Sequence, residues 1–275
     1  MLRRLAFPAI LVLLAALPAR AQAPQGLDAL LGALGMADLV EIMRQEGLAY
    51  GDDIEAEMFA DRGGARWDAA VARIYDPARM REEIRGALSQ DLSGTDLDPL
   101  VGFFGSETGK RIVALELSAR RALLAPEVEA ASVERLEEME ADDDPRLALV
   151  ERFVETNHLI DANVVGALNA NFAFYSGLAD GKAFDYEMTE EQMLADVWGQ
   201  APEVRDDTRE WLLSYLSMAY APLPDESLEA YIAISETDEG QALNAALFAA
   251  FDVAFRRISR ELGLAAAQFL AGQDI

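Results

Sequence analysis

The sequence predicts an all-α protein of two related antiparallel helical halves. Three observations carry that prediction. Apolar residues recur three and four positions apart along almost the whole chain, the period of a helix with one buried face. No alternating apolar–polar run and no Asn-Gly turn marks a strand or a hairpin. One pattern also occurs twice. An apolar stretch, Leu97 to Phe104, precedes Ser106-Glu107-Thr108-Gly109 at the head of a long amphipathic run. Leu228 to Ile234 precedes Thr237-Asp238-Glu239-Gly240 in the same way.

The first 21 residues read as an export signal. Met1 to Arg4 is basic, Leu5 to Leu17 is apolar, and Ala19-Arg20-Ala21 has the small-x-small form of a cleavage site, with the cut expected between Ala21 and Gln22. The apolar run falls short of the ~20 residues that span a bilayer. No later segment is long and apolar enough to do so. The chain contains no cysteine, which removes both lipid attachment at a new N-terminus and disulfides. Stability must then come from burial. The expected location is the periplasm or the medium. The net charge is −26, and loss of Arg3, Arg4 and Arg20 makes the mature chain more acidic still. Nucleic acids and anionic membrane surfaces need a basic footprint, so neither is an expected partner.

Along the mature chain, the first helix is expected from Leu27 to Leu48, with Gly47 weakening its end. Asp52-Asp53 then caps a short helix, Ile54 to Ala60, which Gly63-Gly64 breaks. Trp67 to Tyr75 follows. Asp76-Pro77 restarts a helix with a cap and a proline at the first position, where its missing N–H costs nothing. Gly94-Thr95-Asp96 separates this from the short segment Leu97 to Phe104. The run from Ser106 is interrupted at Pro126 and continues to about Glu140. Asp142-Asp143-Asp144-Pro145 is read as an acidic linker, since three like charges before a proline favour an exposed break. It divides an N-terminal repeat, 22–141, from a C-terminal repeat, 146–275. In the second repeat one long helix is expected from Arg146 to Tyr175, with a loop from Gly177 to Asp185. Thr189-Glu190-Glu191-Gln192 is a capping box. Pro202 starts the next helix, and Pro222 and Pro224 end it. Asp225 to Ser235 and Thr237 to Leu262 form the second short–long pair. Ala265 to Ile275 is left as a last turn or a frayed tail.

With Gly109 set on Gly240, Ser106 falls on Thr237, Val101 on Ile232 and Ile112 on Leu243. Ser106 and Thr237 are helix caps. Glu107, Asp238 and Glu239 match the positive end of the helix dipole. Glycine at the third helical position costs about 1 kcal/mol in propensity, so its use there implies close approach of the preceding short helix. Over Leu97 to Leu124 and Leu228 to Leu262 this arrangement resembles the bacterial secreted family known as domain of unknown function 2059, and the second window looks the closer. The resemblance implies an exported all-helical protein. It brings no catalytic residue with it.

The residues supply little chemistry. The single histidine, His158, has Glu155 and Asp161 three positions away on either side, so the three could share a helix face. A di-iron bundle, however, needs two Glu-x-x-His motifs. No calcium loop, nucleophile elbow or phosphate loop is present, and no catalytic residue, metal or cofactor is expected. Most aromatic residues follow Asp144. Phe174, Trp198, Trp211 and Tyr215 are the candidate lining of an apolar pocket. The expected role is a non-catalytic periplasmic binding or interaction module for a protein or a small apolar ligand. A carboxylate-dependent hydrolase of the cell envelope and a helical chaperone are the alternatives.

Overall fold

The computed structural model describes residues 26–59, 63–184 and 189–271. The expected signal segment and its cleavage site lie outside these residues. The described residues form helices joined by short turns, with no strand among them. In order they are α1 (Leu27–Ala33), α2 (Met36–Phe59), α3 (Gly64–Ile74), α4 (Pro77–Asp91), α5 (Asp98–Gly105), α6 (Glu107–Ala122) and α7 (Pro126–Ala141). There follow α8 (Pro145–Thr156), α9 (Leu159–Asp180), α10 (Glu190–Gly199), α11 (Ala201–Tyr220), α12 (Asp225–Ser235) and α13 (Asp238–Leu270).

The caps act as their residue types dictate. Asp76 accepts a hydrogen bond from the Arg79 N–H at 2.7 Å, and Pro77 opens α4. Thr189 and Gln192 form a reciprocal capping box at α10. The two echoed corners share their geometry as well as their sequence. Ser106 Oγ accepts from the Gly109 N–H at 3.1 Å and donates to the Phe103 carbonyl at 2.6 Å. Thr237 Oγ1 accepts from the Gly240 N–H at 3.0 Å and donates to the Ile234 carbonyl at 2.7 Å. A Cβ on Gly109 would lie 2.2 Å from the Phe103 carbonyl oxygen, and one on Gly240 would lie 2.1 Å from that of Ile234. Each short helix therefore presses its last carbonyls against a position that no side chain can occupy.

Four boundaries differ from the sequence reading. The first break comes at Gly35, whose φ of +62° ends α1. The chain then stays helical through Gly47, Gly51 and Asp52-Asp53 to Phe59. These glycines are seats for neighbours, not stops. A Cβ on Gly47 would meet the Tyr75 ring at 2.1 Å and one on Gly51 the Val71 side chain at 2.7 Å. The Gly51 carbonyl accepts from Trp67 Nε1 at 2.7 Å. The expected helix from Arg146 to Tyr175 is two helices, because His158 adopts a left-handed conformation (φ +51°) between α8 and α9. His158 is thus an exposed residue at a junction, so Glu155, His158 and Asp161 do not lie along one helix face. Among the described residues no three potential ligands group to hold a metal. Gly177 to Asp180 is helix, not loop. Finally, α13 runs beyond Leu262 to Leu270, because Ala265, Ala266 and Ala267 are buried.

α13 organises the packing. It lies along α9 and α4 and also touches α2, α3, α5 and α12. One hydrophobic cluster joins α1–α5 to α13 through residues such as Trp67, Met80, Ile84, Ala250 and Ile258. A second joins α6, α7 and α8 to α11 and α12 through Ile112, Leu136, Val150, Leu216 and Ile232. Both clusters draw on residues from either side of the turn at 142–145. In that turn Asp143 is left-handed and Asp144 caps α8. A small third cluster, Val164, Leu168 and Val197, lies between α9 and α10. Among the described residues no helix is long and apolar enough to cross a membrane.

Candidate functional site

The third cluster is too small to cover itself. Val164, Leu168 and Val197 are buried, whereas the side chains above them are open to solvent: Trp198 is 54% exposed and Val165 49%. The result is a groove of about 490 Å³ lined by Asp161, Val164, Val165, Trp198, Ala201, Pro202 and Arg205. Local rules set its walls. His158 turns the chain so that α9 begins just before Asp161. The Thr189 box fixes the start of α10. Gln200 then turns α10 into α11, placing Ala201 and Pro202 in the first turn of α11. The two charged lining residues neutralise one another, Arg205 Nη2 to Asp161 Oδ1 at 2.6 Å. The surface they leave is apolar.

The four aromatic residues singled out in the sequence do not meet at one place. Trp198 lines the groove. Phe174 packs against the first cluster and stands edge-on to Tyr175, with ring centroids 6.5 Å apart. Trp211 stacks on Tyr215 at 5.2 Å, and the Tyr215 hydroxyl donates to the Glu116 carbonyl at 3.1 Å. No single pocket is lined by all four among the described residues.

The sequence reading missed Glu116. Its carboxylate accepts a hydrogen bond from the Tyr220 hydroxyl at 2.5 Å and is hydrogen-bonded to Tyr231 as well. Burial raises its pKa from 4.5 to about 7, and the bonds from Tyr220 and Tyr231 oppose the rise. The tyrosines in turn are pushed up, first by burial and then by the nearby carboxylate. One turn further along α6, Arg120 makes a two-pronged pair with Glu46 of α2 at 2.7 and 2.8 Å. α6 is thereby tied to α11 and α12 at Glu116 and to α2 at Arg120. A signal for Glu116 existed. It lies four residues after Ile112 and three before Ala119, both buried in the second cluster, so a carboxylate occupies a core-facing position. In the register of the echo it falls on Leu247.

The chemistry available follows from these contacts. Glu116 has a raised pKa, but its surroundings are phenolic hydroxyls and apolar rings. Its neighbouring carboxylate, Glu46, is engaged by Arg120. Paired-carboxylate hydrolysis needs two acids facing a space for substrate, and this cluster offers one half-buried acid beside a carboxylate already held by Arg120. A smaller cleft of about 60 Å³ lies beside it, lined by Leu34, Phe104, Tyr231, Gly240 and Leu247 among others. That volume holds a water or two rather than a substrate.

Residues 78–138 match a family described as an uncharacterized protein conserved in bacteria, domain of unknown function 2059. The matched segment runs from α4 into α7. It contains the first corner, Ser106 to Gly109, as well as Glu116 and Arg120. It covers the first of the two windows that carried the resemblance. No curated protein matches the chain. No solved structure matches it either.

Proposed function

We propose that this protein is an exported, non-catalytic interaction module built on two related helix–corner–helix units, with the Trp198 groove as its working surface. One observation carries the reading: a tryptophan and a valine, each about half exposed, line one groove whose two charged lining residues, Asp161 and Arg205, are paired with each other. Scattered apolar side chains on a surface need no explanation. An aromatic residue over a concave apolar floor is the composition of an interface centre. The groove is too open to enclose a small ligand, since ligand sites bury roughly 70–90% of their occupant. A macromolecular partner laid across it fits better. The hydrolase alternative has less support, because the raised carboxyl at Glu116 faces no second acid across a cleft. Export rests on the N-terminal sequence, and mass spectrometry of protein recovered from the native cell envelope should then find Gln22 at the N-terminus. For the groove, a photo-crosslinking amino acid at position 198 should yield a discrete adduct in intact cells, while the same group at the exposed Glu137 should not. Equal products from both positions, or none from 198, would remove the groove from consideration.

A further inference from the structure

We propose that α10 is a hinged flap forming one wall of this groove, which swings at Gly199–Gln200 to uncover an apolar strip of α9. The movement specifies how the proposed working surface opens, and it rests on that reading for its purpose. Of the ten residues of α10, all but Met193 and Val197 are exposed. Among the described residues no α10 side chain forms a hydrogen bond or ion pair with another helix; Gln192 bonds back to Thr189. The nearest side-chain tie is at the joint, where Gln200 accepts from Asn171 at a long 3.4 Å. The neighbouring helices are held differently. α9 is seated on α13 through Gly177 and Gly263. α11 is tied by Arg205 to Asp161 and by Arg209 to Glu140 and Glu151.

What α10 covers is longer than α10. Ile160, Val164, Leu168, Phe172 and Tyr175 recur four or three positions apart along α9 and gather in the third cluster. At about 1.5 Å per residue they span about 22 Å, against about 15 Å for α10. The joint suits a swing. Gly199 has nothing within 4 Å of its missing Cβ. Pro202 lacks an N–H for the Trp198 carbonyl four residues back, which thins the backbone ladder between α10 and α11. Once released, a ten-residue helix is too short to hold its own structure in water, so lifting and unravelling come together. Closing buries two side chains against the cost of ordering the segment, a small balance beside the long core contact of α13. A partner that occupies the bared strip binds the open form only, and its affinity scales with the open fraction.

The test follows amide hydrogen exchange of the mature chain, peptide by peptide, in urea below the unfolding transition. The α10 amides should exchange faster than those of α13 by about two orders of magnitude or more. Low urea should leave the α10 rate unchanged, because a local opening exposes little surface. Ile84→Val, in the first cluster, should speed exchange in α13 by roughly threefold to tenfold and leave α10 unmoved, whereas Val197→Ala should speed α10 on the order of tenfold. The chain has no cysteine, so Leu168→Cys supplies a single thiol under the flap. It should react with a thiol reagent at a rate that low urea does not change, while Ile258→Cys in the α13 core should react only as fast as global unfolding allows. If α10 exchanges in step with α13, in urea and in Ile84→Val alike, the two form one cooperative unit and the flap is overturned. If α10 exchanges fast but the thiol of Leu168→Cys is as protected as that of Ile258→Cys, α10 frays in place without baring the strip, which overturns it too. None of these measurements involves a partner. Crosslinking at position 198 can therefore fail with the flap intact, and the flap can fail with the groove still crosslinking.

Discussion

Gly177 and Gly263 are reciprocal seats: each lies where the other's helix needs room for its backbone. A Cβ on Gly177 would stand 2.2 Å from the Arg260 carbonyl oxygen, and one on Gly263 would stand 2.1 Å from that of Phe174. α9 and α13 meet along an extensive contact at this crossing. Gly181 continues the seat one turn on, with a Cβ there falling 2.3 Å from that of Ala267. Small residues at a crossing let two helices pack closer than ordinary side chains permit. Gly177→Ala and Gly263→Ala should each lower stability by about 2–3 kcal/mol, as overpacking does. The double variant should cost clearly less than the sum, because one outward shift of α13 relieves both clashes. Urea denaturation of the three variants measures this; strict additivity would show that the two contacts are independent.

The corners permit a similar comparison with an internal control. Gly109→Ala and Gly240→Ala gain helix propensity but drive a methyl group into a carbonyl oxygen, so each should destabilise by about 2–3 kcal/mol. Gly86 is exposed in the interior of α4 with nothing near its missing Cβ. Gly86→Ala should stabilise by about 0.5–1 kcal/mol. Thermal melts would separate the two classes by sign, and a stabilising Gly240→Ala would contradict the close-approach account of the corner.

Glu116 makes stability depend on pH in a set direction. Its folded pKa, about 7, lies above its ordinary value of 4.5. Between these values the folded state holds a proton that the unfolded state has released. Stability from this group is complete below pH 4.5 and falls as pH rises towards 7, by at most about 1.4 kcal/mol per pH unit. Above 7 the contribution is flat. Glu116→Gln, neutral at every pH, should remove this fall while keeping the amide within reach of Tyr220. Denaturant midpoints of both proteins from pH 4 to 8 test it. Parallel pH profiles would mean that Glu116 titrates normally.

The tryptophans should separate by role. Trp67 is fully buried, donates to the Gly51 carbonyl and stands edge-on to Phe59 and Phe269. Trp67→Ala should cost about 3–5 kcal/mol. Trp198→Ser should change stability by no more than about 0.5–1 kcal/mol, since half of that side chain is already in water. A collapse in melting temperature with Trp198→Ser would make this residue part of the core and not of a surface for a partner.

Much of the fold was legible because it depends on local physics. Helical periodicity, the Asp76, Ser106, Thr189 and Thr237 caps and the glycines at the two corners each act within a few residues. The errors share one cause. Gly47, Gly177 and the Ala265–Ala267 segment were read for local propensity, which predicts breaks and fraying. Tyr75 and the α9–α13 contact lie far away in sequence, and they turn these residues into packing seats. His158 erred the other way: its left-handed φ of +51° breaks a run whose apolar periodicity reads as one continuous helix.

The candidate site divides along the same line. The sequence by itself determined that the protein is all-α, acidic, free of cysteine and capped at repeated corners, because composition and short-range hydrogen bonding decide those properties. Only the tertiary structure decided which aromatic stays in water and which acid is drawn against buried phenols. Trp198 and Trp67 are the same residue type on amphipathic helices, and Glu116 is one of 49 acidic residues. What distinguishes them is the depth of the layer packed above each, and that depth is set by contacts between helices distant in the chain.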